Sequence, residues 1–165
     1  MKVFALISVL VSSVFVFSSC SADEALVVDP ELTVEQQALL DAINAFRLAG
    51  GQCNGSNYAA VGQVQWNVQL EAAGLRHAED MSNNDFFDHT GTDGTNVGVR
   101  AKDAGYNYSW IGENLATGFT TVEDVMEAWR TSTSGHCEMI LNENFTEVGV
   151  ARVENLWVMV LAAPL

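Results

Sequence analysis

Basic residues are the first scarcity. The chain has 7 lysines and arginines against 21 aspartates and glutamates, a formal charge of −14. Such a surface repels nucleic acid and anionic headgroups at long range, and no basic cluster offsets it, so nucleic acid is excluded as a partner. Long apolar runs are also missing. The only extended one, Val3 to Phe17, is shorter than the roughly 20 residues a membrane span needs, and Ser18-Ser19-Cys20-Ser21 ends it. There is no internal repeat, no low-complexity tract and no composition break that would mark a second folded domain. Cysteine is limited to Cys20, Cys53 and Cys137, an odd number that leaves one without a mate.

What is present at the N-terminus reads as an address. Lys2 supplies a positive start, the apolar run follows, and small residues close it, so residues 1–19 are expected to be a lipoprotein-type signal peptide. Phe17-Ser18-Ser19-Cys20 resembles a bacterial lipoprotein processing site, with Cys20 as the lipidated residue; ordinary secretion, with Cys20 a spare thiol, is the alternative. Lipidation would leave Cys53 and Cys137 as the remaining pair. Residues 20–31 then form the lipid anchor and a short acidic tether containing Pro30, and residues 32–165 the domain. The expected location is extracytoplasmic and membrane-anchored. Ser21 after Cys20 favours the outer membrane in a host with two membranes, and a secreted or periplasmic protein is the alternative.

The domain opens on Thr33-Val34-Glu35-Gln36, the spacing of a capping box, followed by Leu39, Leu40, Ile43 and Phe46 at helical period and a stop at Gly50-Gly51. Gln52 to Gly62 reads as a loop held by Cys53, and Val64 and Trp66 alternate as in a short strand. Asn67 can cap a second helix whose face carries Leu70, Gly74, His77 and Met81, with Ala73 and Ala78 beside them; His77 is expected to be a packed, hydrogen-bonded core histidine. Val97 to Ala104 reads as a short helix ending at Gly105, with Arg100 and Lys102 exposed. Tyr106, Tyr108 and Trp110 read as an extended connection packing its aromatics on the core. Thr120-Thr121-Val122-Glu123 starts a helix burying Val122, Val125, Met126 and Trp129. The tail reads as a hairpin turning at Glu154-Asn155, and its second strand, Leu156 to Leu161, is apolar on both faces and needs cover on both. These elements predict an α+β fold, a three-layer α-β-α sandwich around a small, mainly antiparallel central sheet.

Three segments stand out for chemistry: Phe86-Phe87-Asp88-His89, Gly112-Glu113-Asn114-Leu115-Ala116, and Trp129 leading to Gly135-His136, followed by Asn142 to Val150 before a tryptophan-bearing strand. In this order and at domain scale they resemble the superfamily of cysteine-rich secretory proteins, antigen 5 and pathogenesis-related-1 proteins, the CAP or SCP domain, in a bacterial single-domain form. The resemblance implies the α-β-α sandwich already read from the pattern. It also implies a cleft in which two histidines and two acids can hold a divalent metal, often zinc. The histidines fall on His89 and His136 and the first acid on Glu113. The second acid falls on Ser132, a departure that predicts weak, reversible metal binding by His89, Glu113 and His136, with Ser132 bordering the cleft. Glu127 and Glu138 lie nearby without matching the family position. Bacterial relatives also pair cysteines like Cys53 and Cys137, which implies a disulfide between them.

Two function classes follow. The first is an extracytoplasmic binding domain whose His89–Glu113–His136 cleft takes a small ligand, a lipid or a weakly held divalent cation, zinc among them. The alternative is a metal-assisted hydrolase of peptide or cell-envelope substrates, in which zinc activates water. A metal-free version using Ser132 or Ser134 with His136 lacks a recognisable nucleophile elbow. The resemblance carries no general catalytic activity, and binding is the favoured expectation.

Overall fold

The computed structural model describes residues 31–165; the leader, Cys20 and all of the tether except Glu31 lie outside the described residues. Helix α1 (Val34–Ala49) begins where the pattern put it. Thr33 accepts from the Gln36 amide, and the Gln36 side chain returns a bond to the Thr33 amide. Its C-terminus is turned by Gly50, whose φ of 65° puts it in the left-handed region. The stretch expected to be a loop is instead a hairpin, β1 (Gly51–Cys53) paired with β2 (Ser56–Tyr58). Asn54-Gly55 makes its turn with φ of 49° and 80°, the positive angles a two-residue hairpin turn demands. The flanking strands are short and, apart from buried Cys53, mostly polar or exposed, so no alternation announced them.

The main sheet has the order β3-β5-β6-β4. Strand β3 (Gln65–Trp66) runs parallel to β5 (Glu147–Val153), β5 is antiparallel to β6 (Leu156–Pro164), and β6 is antiparallel to β4 (Tyr108–Thr117). Strand β6 is central, and Trp157 through Ala162 have no exposed surface. Its alternation sorts the core in two. Trp157, Met159 and Leu161 pack with α1, α4 (Val122–Thr131) and α5 (His136–Ile140), while Val158, Val160 and Ala162 pack with α2 (Val68–Asn84) and α3 (Val97–Asp103). A central strand apolar on both faces, covered by helices on both, is the three-layer arrangement expected.

Helix α2 lies close against β5 and β6, and small residues allow it. A Cβ at Gly149 would run into the α2 backbone at Leu70 and Glu71, and one at Gly74 would meet the Val158 carbonyl at 3.3 Å. Asn67 caps α2 by accepting from the Gln69 and Leu70 amides. The aromatic run before Glu113 differs from expectation. Tyr108 and Trp110 belong to the ten-residue strand β4 and Tyr106 precedes it; Tyr106 is buried, but Trp110 is 53% exposed on this edge strand.

Candidate functional site

Strand β4 is where the three singled-out segments meet. Its side chains alternate between the two helical layers: Ala116 belongs to the α1/α4/α5 core and Leu115 to the α2/α3 core. Glu113 therefore shares a face with Leu115, and Asn114 shares the other with Ala116.

Glu113 is buried, with only 2% of its side chain exposed, and both its oxygens are engaged. Oε2 accepts from Arg100 Nη2 at 2.6 Å and Oε1 from His89 Nδ1 at 2.8 Å. Arg100 corrects the sequence reading, which put it on an exposed helix face; it is 2% exposed and turned inward. Its guanidinium also donates to the backbone carbonyls of Thr95, at 2.8 Å, and His89, at 3.3 Å. A buried guanidinium is costly without acceptors, and Glu113 with this loop supplies them to its two terminal nitrogens, while Nε has no partner. One guanidinium thus fixes the carboxylate that orients His89 and the backbone that carries it.

His89 itself is largely exposed, 60% of its side chain. In the neutral ring, donation of Nδ1–H to the Glu113 carboxylate puts the lone pair on Nε2. His77, expected on the packed face of α2, is there: it is buried and its Nε2 lies 2.8 Å from the Asp88 carbonyl. That bond fixes the Nε2–H tautomer. His77 approaches Glu113 Oε1 no closer than 4.0 Å, and burial pushes its pKa below the ordinary imidazole value.

His136 comes from the opposite layer, at the first position of α5 after Gly135 (φ 89°). Burial lowers its pKa, nearby His89 lowers it further, and Glu138 acts in the other direction. Cys137, the next residue, is joined to Cys53, so the hairpin after α1 is tied covalently to this helix. His136 and Ser132 line an open groove of about 380 Å³ with Phe87, Phe119, Trp129 and the edge residues Leu115 to Thr117. Ser132 is the C-cap of α4, and its hydroxyl accepts from the Ser134 amide at 3.1 Å.

The chain matches the family model for the cysteine-rich secretory protein family, CAP, over residues 40–159. It belongs to the CAP family. Among curated relatives, the uncharacterized protein YkwD of Bacillus subtilis (strain 168) is 36% identical over 92 residues, 56% of this chain and 35% of that protein. The uncharacterized membrane protein YlbC of the same organism is 25% identical over 118 residues, 72% of this chain and 31% of that protein. The CAP chain thus spans about a third of the length of the curated relatives it matches. Two solved structures share the fold. An extracellular SCP-domain protein from Bacillus anthracis str. Ames superposes with a TM-score of 0.69 at 22% identity, covering 78% of this chain and 40% of that one. An outer surface protein from Borrelia burgdorferi gives 0.66 at 20%, covering 79% and 93%.

Among the described residues no three histidine, cysteine, aspartate or glutamate side chains are grouped to hold an ion. The Glu113 oxygens already serve Arg100 and His89, so the carboxylate stands behind His89, the position of a group that orients a ligand. The histidine from the opposite layer, His136, lies near enough to His89 for the two imidazoles to influence one another.

Proposed function

We propose that this CAP domain is a non-catalytic binding module that works outside the cytoplasm, its ligand taken in the groove lined by Ser132 and His136, with His89 nearby. A small molecule or lipid suits the aromatic wall of Phe87, Phe119 and Trp129, and the two imidazoles suit a polar end of that ligand or a weakly held divalent cation such as zinc. The observation that carries the reading is the double engagement of Glu113. A general base for hydrolysis needs an available acceptor beside the attacking water, whereas this carboxylate is spent on holding His89 in one tautomer. An extracytoplasmic place is supported by the Cys53–Cys137 disulfide and by structural neighbours described as extracellular or outer-surface proteins. Attachment through a lipidated Cys20 is part of the same proposal.

Zinc calorimetry on chelator-treated protein tests the polar end of the groove. The expected result is weak one-site binding that His136→Ala and His89→Ala each remove. Tight binding indifferent to both substitutions would overturn the assignment. Native mass spectrometry of protein taken from the membrane fraction tests the apolar wall, the expected result being a retained small molecule or lipid that Trp129-side substitutions such as Phe119→Asp release.

A further inference from the structure

Asn114 has no exposed surface, yet it carries a side-chain amide into an otherwise apolar layer. Burying an amide is costly unless it is bonded. Its Nδ2 donates to the backbone carbonyl of His136 at 3.1 Å, and its Oδ1 has no partner. An apolar residue of the same shape would fill the space without leaving that orphan oxygen, so packing alone does not account for an asparagine here. The bond goes to the first residue of a five-residue helix that has no side-chain cap and follows a left-handed glycine. The His136 backbone is therefore held by two ties, the Cys137 disulfide on one side and Asn114 on the other.

Glu113, one residue earlier on the opposite face of β4, holds His89 by its ring. From these two bonds we infer that Asn114 is the positioning residue for His136, as Glu113 is for His89, so that one edge strand sets both histidines of the candidate site from its two faces. The inference deepens the groove reading given above. It makes the geometry between the two imidazoles a property of adjacent positions on a strand paired residue by residue with β6, at Glu113↔Val160 and Asn114↔Met159. A one-residue slip of β4 would exchange the two faces and separate both histidines from their supports.

The test is read on the ligand-free full chain by NMR, at a pH where both imidazoles are neutral. In the wild type the Asn114 side-chain amide protons are expected to be inequivalent and slow to exchange with solvent; fast exchange would overturn the inference without any variant. Asn114→Asp keeps the shape and removes the donor, and Asn114→Ala removes both. Each is expected to move and broaden the His136 ring resonances while leaving those of His89 in place, and Glu113→Gln is expected to do the reverse. Equal movement of both rings in every variant, or an unmoved His136 in the Asn114 variants, contradicts a positioning role. Because no ligand is present, failure here is distinct from failure of the groove to bind.

Discussion

Arg100 and Glu113 form a buried ion pair, two charged groups bonded at 2.6 Å. Removing one partner leaves the other buried and uncompensated. Glu113→Gln and Arg100→Met are therefore each expected to lower stability by about 3–5 kcal/mol in urea unfolding, and the double variant by less than the sum. Additive losses would show that the pair is not coupled. The sequence made Glu113 visible through its neighbours Gly112 and Asn114, but not Arg100. On a seven-residue helix the apolar positions are too few to define a face, and a charged residue defaults to solvent unless its partner is known. The partner lies 13 positions away on a strand. His77 was legible because Leu70, Gly74 and Met81 define its face without help.

At the scale of elements, the helices with a cap and four or more apolar residues at helical period could be read directly, as could the apolar strand β6. The β1–β2 hairpin could not. Its strands are three residues each with no apolar alternation, and its one signal, Asn54-Gly55, sat within a glycine-rich stretch that read as loop. The hairpin matters because Cys53 anchors it to α5. The disulfide closes a separation of 84 residues, for which chain entropy gives an idealised gain of about 4–5 kcal/mol. The Cys53→Ser/Cys137→Ser variant is expected to lose stability up to that size in denaturant melts and to loosen His136 more than His89, measured as faster amide exchange across α5 than across the His89 loop. Uniform exchange in both segments would show that the tie does not act on the groove.

For the whole molecule, the three layers followed from one fact of sequence, a strand apolar on both faces, whereas the parallel pairing of β3 with β5 had no local signature. Stability should respond to acid in a way that buried His77 and half-buried His136 dictate. Burial lowers the pKa of His77 and of His136, so below about pH 6.5 the unfolded chain takes up protons that the folded one resists. Stability is then full above that pH and falls as the pH drops through it toward the folded values, with a slope of at most about 1.4 kcal/mol per pH unit from His77. His77→Gln, which can still donate to the Asp88 carbonyl, should flatten this acid limb; an unchanged limb would place its cause elsewhere.

Binding against catalysis is decided most directly by turnover. Purified protein is incubated with cell-envelope fragments and with a broad peptide library, with and without zinc, beside the His89→Ala/His136→Ala double variant. A site whose carboxylate is committed to holding His89 predicts no product above the buffer rate in any arm. Product formed by the wild type and lost in the double variant would contradict that account and make the same residues the machinery of a hydrolase.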